Sequence, residues 1–235
     1  MLLIFSVLAG IAGCKKSDDS GPVIANTEVT FGFKVDNNSL LFDSINYFNA
    51  AGNNYSVSRL TFYVSAFEFE YGDGTIYKSD KVFLVDGKSN ANTVLSFADL
   101  PSGTYKHLKF LVGLDSLHNI ENGLPNTMEN ENMVWPTTMG GGYHFLKLEG
   151  NFKDQANTFG YAMHLGLNRN CVMINLTNSF KLQAPTGKLN LAMNINEWFV
   201  NPYIYDFNTD GNYSMTDSAA MAKLSKNGSD VFTLN

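Results

Sequence analysis

The segment VTFGFKV puts Val29, Phe31, Phe33 and Val35 on one side of an extended chain and Thr30, Gly32 and Lys34 on the other. Alternation with a period of two belongs to a strand with one buried and one wet face, and no helix can present it. Similar short apolar runs recur to the end of the chain between Gly, Asn and Asp clusters. They predict strands at 28–35, 39–42, 56–70, 75–85, 104–112, 143–152, 159–165, 171–181 and 187–199. YGDGT at 71–75 and PTG at 185–187 read as hairpin turns. Long helical periodicity is missing, and only SMTDSAAMAKLS (214–225) reads as a short helix with a Ser or Thr cap. Two long connections, 113–142 and 200–213, interrupt the strands, and loops of that length in a compact domain are usually functional. Eighteen Phe, eleven Tyr and twenty Gly among 235 residues agree with an all-β chain. The expected fold is therefore an antiparallel β-sandwich of Greek-key, immunoglobulin-like type with long functional loops.

The N-terminus reads differently. MLLIFSVLAGIAG (1–13) is an apolar run too short to span a bilayer and is expected to be a signal peptide. Ile11, Ala12, Gly13 and Cys14 resemble a lipobox, which makes Cys14 the expected lipidated residue. Residues 14–26, with their polar KKSDDSG stretch, are then a flexible tether, and 27–235 a single domain. This predicts a lipoprotein of the cell envelope, at the outer membrane or cell surface, touching the membrane through its lipid alone. A net charge of -6 gives no reason to expect nucleic acid as a partner. With Cys14 lipidated, Cys171 has no cysteine left to pair with and reads as a small buried hydrophobe.

Among four histidines, His144 and His164 bracket the stretch GYHFLKLEGNFKDQANTFGYAMHLG. If residues 150–158 are the hairpin loop, its centre is residue 154, and His144 stands directly opposite His164. Directly opposed residues share a face with Cβ atoms roughly 4.5–5.5 Å apart, and a slip of one residue would break the pairing. Two neutral imidazoles at that spacing suit copper, zinc or nickel, yet both can equally be ordinary residues of a half-buried strand.

MVWPTTMGGGYHFLKLEG (133–150) and FGYAMHLG (159–166), together with LTFYVSAFEFEY, FLVD and KFLVGLDS, resemble the MbnP-like family over roughly residues 28–200. That family is named for the periplasmic copper protein associated with methanobactin genes and includes copper-repressed surface proteins. The resemblance implies copper held by His144, His164 and Trp135, the last as kynurenine made by a dihaem cytochrome peroxidase of the MbnH type. Trp198, in NINEWFV, reads as a core residue instead.

Other residues carry weaker signals. His118, in the long loop, can approach the pair as an additional ligand or simply be solvated. Asp115 can order that loop or offer oxygen to calcium. Met133 and Met139 flank Trp135 and offer thioether sulfur or plain packing. His107 reads as a solvent-facing strand residue. No Ser-His-Asp arrangement, GxSxG, HExxH or phosphate loop is present, and Glu149 and Glu197 give no paired-carboxylate spacing, so no enzyme is expected. A copper-binding protein for uptake or sequestration is the first functional reading. The alternative is a surface module that recognises glycan or protein through aromatics such as those of NPYIYDFNTDGNY (201–213).

Overall fold

The computed structural model describes residues 23–235. The expected signal peptide, Cys14 and most of the tether lie outside the described residues. β1 (Ile24–Val35), β2 (Asn38–Ser39), β3 (Tyr47–Phe48), β4 (Asn54–Tyr55) and β5 (Arg59–Tyr71) open the chain. They are followed by β6 (Ile76–Ser79), β7 (Phe83–Asp86), β8 (Val94–Pro101) and β9 (Gly103–Val112). The next connection carries a one-turn helix, α1 (Met128–Glu131), and a 3-10 turn at Thr137–Met139. β10 (His144–Asp154), β11 (Asn157–Gly166), β12 (Val172–Leu176), β13 (Phe180–Leu182) and β14 (Thr186–Asn194) come after it. Helix α2 (Ser218–Asn227) and β15 (Phe232–Leu234) close the chain.

These strands form two sheets. The smaller runs β15-β14-β1-β2, with β8 also on β1. The larger runs β12-β9-β5-β10-β4-β3, with β11 on β10, β13 on β9, and β6 and β7 on β5. The inward faces meet through aromatics. Phe31 of β1 lies 6.0 Å from Phe62 of β5 and 6.3 Å from Phe110 of β9. Phe97 of β8 lies 5.1 Å from both Phe67 and Phe69 of β5. The alternation first seen in VTFGFKV is thus a core-facing row: Val29, Phe31 and Val35 are buried, and Phe33 packs on Phe62. The fold is the expected all-β sandwich.

Some elements differ from the sequence reading, for physical reasons. β1 and β14 pair in parallel, because β14 belongs to the other sheet from its predecessor β13. The PTG stretch is therefore a crossing between sheets rather than a hairpin turn. The expected strands 75–85 and 171–181 each divide in two, and 39–42 shrinks to β2. β8 is a strand although VLSFADLP carries Asp and Pro, because its Leu95, Phe97 and Leu100 reach the core from the edge. The expected strand to residue 199 stops at Asn194, whose side chain caps a 3-10 turn, Ile195–Phe199, by accepting from Asn196 N–H. Trp198 is fully buried in that turn, a core residue as expected.

Cys171 sits where its thiol donates to Leu114 O at 3.0 Å. Burial pushes the thiol up to about 11, so thiolate is scarce at neutral pH. Alkylation by iodoacetamide is expected to be slow at pH 7–8 in the folded protein and to accelerate towards pH 11. Rates matching a free-thiol peptide at pH 8 would show Cys171 accessible and unperturbed.

Candidate metal centre

The β10–β11 hairpin is tighter than the sequence suggests. Asp154 pairs with Asn157, so Gln155 and Ala156 form the turn and Gln155 takes a positive φ of 54°. Lys153 and Asn157, expected in the loop, are exposed strand residues. In this register His164 faces Lys147, not His144. Simple alternation would also place His144 with Leu146 and Leu148, on the core side.

A bulge between His144 and Leu146 undoes both effects. Phe145 is the extra residue, fully buried, its ring 3.0 Å from where a Cβ on Gly113 would stand. Only glycine at 113, held at φ 128°, leaves that room. His144 is thereby turned to the outer face opposite Gly166, next to His164. The two imidazole rings are 4.9 Å apart and nearly perpendicular, so the pair exists by way of a bulge rather than by direct opposition.

Trp135 completes the row, its indole 4.7 Å from the His144 ring. It is fully buried against Gly166, where a Cβ would stand 2.4 Å from indole Cε3. The Gly of His-Leu-Gly is therefore the seat of the tryptophan. Trp135 N–H donates to Gly142 O at 2.8 Å and His144 N–H to Met133 O at 2.6 Å, so 133–135 runs antiparallel to 142–144. Gly140, Gly141 and Gly142 turn the chain between them with positive φ throughout.

Hydrogen bonds fix how each ring presents itself. His144 Nδ1 lies 3.2 Å from Met133 O, so this nitrogen carries the proton and donates it. Its Nε2 is buried and has no hydrogen-bond partner among the described residues. Burial, with the charges of Lys147 and His164 adding, holds this imidazole down to about 3, so it is neutral at physiological pH. His164 Nε2 lies 2.8 Å from Glu149 Oε1 and donates to it, which leaves Nδ1 as the nitrogen for a metal. The His164 hydrogen bond, aided by Arg59, pulls Glu149 down to about 2. Arg59 Nη1 stands 3.2 Å from the same oxygen. Ser214 locks the His164 backbone: its Oγ accepts from His164 N–H and donates to His164 O, both at 2.7 Å.

Glu149 and the Met133 carbonyl are thus the orienting groups that sequence reasoning missed. Had the turn been centred between Gln155 and Ala156, Glu149 would have appeared opposite Ala162 and diagonal to His164. KLEG can now be read in full. Lys147 donates to Asn132 O at 2.6 Å, Leu148 enters the core, and Glu149 holds His164. Gly150 lets Ser56 pass.

The side chains of the remaining candidates have other partners or positions. His118 is bound within its own loop, Nδ1 2.9 Å from Asp115 Oδ1. Asp115 Oδ1 also accepts from the N–H groups of Leu117 and His118, so this carboxylate orders the loop. Met133 is buried and Met139 O accepts from indole Nε1 at 3.1 Å. His107 is part-exposed and paired with Glu70 at 2.9 Å. Among the described residues, no three His, Cys, Asp or Glu side chains converge on one point. Of the aromatics in 201–213, Tyr205 and Phe207 are core residues and only Tyr203 and Tyr213 are exposed. Residues 206–217 also carry Asp206, Asn208, Asp210, Gly211, Ser214 and Asp217 at the spacing of a calcium loop. There, however, Lys223 is ion-paired with Asp210, and Asp217 caps α2.

A copper ion fits the row on its chemistry. Each imidazole has one nitrogen tied to an oxygen and the other left to face a metal, the arrangement of metal-bound histidines. The indole does not fit as it stands, because its nitrogen is a donor only and is already engaged.

Comparison with known proteins bears on the same elements. No curated protein matches the chain. The solved structure of MbnP from Methylosinus trichosporium superposes with a TM-score of 0.58, covering 90% of this chain and 98% of that one at 13% identity. That likeness speaks for the fold. A family model described as MbnP matches residues 25–219, which take in both sheets except β15, the whole β10–β11 hairpin, Trp135 and both histidines. The chain belongs to the MbnP family.

Proposed function

We propose that this protein binds copper, with His144 Nε2 and His164 Nδ1 as ligands, for uptake or sequestration at the cell envelope. The observation that carries the reading is the buried, unpartnered Nε2 of His144. A buried acceptor without a partner costs roughly 1–3 kcal/mol, a cost that a bound ion removes. Imidazole coordination on a rigid hairpin, with Met133 O and Glu149 fixing the rings, is what retention requires. The protein acts by holding the metal and needs no catalytic group.

Trp135 enters as the third participant. Oxidative opening of the indole to kynurenine leaves an aryl amine and a ketone oxygen where the intact ring offers only a donor. A partner dihaem cytochrome peroxidase of the MbnH type would perform that oxidation. Gly166 seats the intact indole beside His144, within reach of the same ion. Lipidation at Cys14 would hold the protein on the outer membrane or cell surface.

The test uses protein from its native host, analysed for metal and by peptide mapping. The expected result is one copper per chain and a Trp135 peptide that has lost one carbon and gained one oxygen. The variants His144→Ala and His164→Ala should each lose the copper. Copper retained by both variants would overturn the ligand assignment. An unmodified Trp135 in a host that makes the peroxidase would overturn its oxidation.

A further inference from the structure

Beside the histidine row, on the outer face of β5, β7 and β10, lies a cleft of about 360 Å³. It is at the small end of ligand sites, which run on the order of 300–1,000 Å³, and so suits a small molecule rather than a peptide. Arg59, Lys88 and Lys147 line it together with Thr61, Asp86 and Glu129. Lys88 and Asp86 answer local needs: Lys88 is paired with Asp43 at 2.7 Å, and Asp86 Oδ1 accepts from Lys88 N–H.

Arg59 and Lys147 are different. Arg59 bonds through Nη1 alone, to Glu149, a carboxylate already engaged by His164. Lys147 meets only a backbone carbonyl, Asn132 O. Among the described residues, the rest of the Arg59 fork and two ammonium hydrogens of Lys147 have no partner. Arg59 thus shares its one carboxylate with His164, and Lys147 has no carboxylate of its own. A planar guanidinium fork next to an ammonium matches a carboxylate, which accepts two parallel N–H bonds from one and a charge-assisted bond from the other.

We propose that this cleft binds a small carboxylate anion between Arg59 and Lys147, and that its occupancy is felt by the histidine pair. The second half rests on the copper reading above. The route is short: Arg59 holds Glu149, which orients His164, and Met133, on the cleft wall, orients His144 through its carbonyl. An anion that draws Arg59 away leaves Glu149 wholly to His164. The occupant is a small anion of the carboxylate class.

Isothermal titration of the metal-free protein with succinate, acetate and inorganic phosphate tests the first half. Succinate is expected to bind once per chain and to lose roughly tenfold or more in affinity in Arg59→Gln, the equivalent of one charge-assisted bond. Thermal melting of Arg59→Gln serves as the folding check, and Lys147→Arg should retain binding. No succinate binding, or equal binding by folded Arg59→Gln, would overturn the site. Phosphate binding as tight as succinate would overturn its carboxylate class. Ring nitrogen shifts of His164 on adding succinate to metal-free protein test the coupling, which shifts unmoved at saturation would overturn. Copper binding that persists without any succinate effect sinks this inference and spares the copper reading, whereas succinate binding without copper binding does the reverse.

Discussion

His144→Phe is expected to abolish copper binding while leaving the metal-free protein at least as stable as the parent. The two effects come from the same atom. His144 is buried, and its Nε2 finds no partner among the described residues. Removing that nitrogen recovers roughly 1–3 kcal/mol, while losing the Nδ1 bond to Met133 O returns about 1 kcal/mol. The Met133 carbonyl still receives the residue 144 backbone N–H at 2.6 Å, so it is not left bare. A phenyl ring also suits the neighbours, Trp135 at 4.7 Å and His164 at 4.9 Å. Thermal melting without metal should therefore show a midpoint unchanged or raised by a few degrees, at about 2–4 °C per kcal/mol for a chain of this length. Copper affinity, read by competition with a chromogenic chelator, should fall at least a hundredfold, since even loss of a ligand's orienting partner costs about 10–100-fold. A stability loss above about 2 kcal/mol would mean that Nε2 is satisfied in the metal-free protein, and the ligand argument would lose its physical basis. A residue kept at the expense of stability is the pattern of a functional site.

That site was half legible in the sequence, and the reason is specific. A turn centred on residue 154 predicts His144 opposite His164, whereas the turn lies between Gln155 and Ala156. On the correct register alone, the histidines would have fallen on opposite faces. The bulge at Phe145 restores the pairing, and nothing local signals it: its cause is Gly113, thirty-two positions away, which leaves space for the Phe145 ring. Alternation was easy to read where one face is apolar, as in β1, because burial imposes it. It failed at the hairpin tip, where Asn151, Lys153 and Asn157 resemble a loop in composition although they are strand. The glycines of VGLDS, KLEG and HLG stood out as motif letters, but what each admits (a phenyl ring, a backbone carbonyl, an indole) is a long-range fact. Glu149 was missed because its role depends on the register.

Gly150→Ala is expected to destabilise the fold strongly, and Gly160→Ala, one row away on the partner strand, hardly at all. At Gly150 an added Cβ would stand 1.9 Å from the backbone oxygen of Ser56. Neither side can yield cheaply. Ser56 N–H donates to Asn151 O at 2.8 Å and Ser58 N–H to Glu149 O at 2.7 Å, which ties the two segments together on both sides of the clash. Ser56 O is also the acceptor for the hydroxyl of Tyr161, a buried ring that lies 6.2 Å from Tyr55 and stacks on Phe207. Moving the carbonyl strands that hydroxyl at roughly 1–3 kcal/mol, on top of about 1–3 kcal/mol for overpacking. The midpoint should then drop by on the order of 10 °C. At Gly160 the nearest atom to a new Cβ is the Tyr213 hydroxyl at 3.4 Å, on an exposed side chain that can swing aside. Both substitutions add one methyl to the same hairpin, so strand propensity affects them alike, and the difference between the two melts measures the close approach at Ser56. Equal melting points would show that the segment before β5 does not pack against β10 as closely as the geometry requires. A large drop confined to Gly150→Ala would establish that this glycine is held by the carbonyl it faces, independently of the metal.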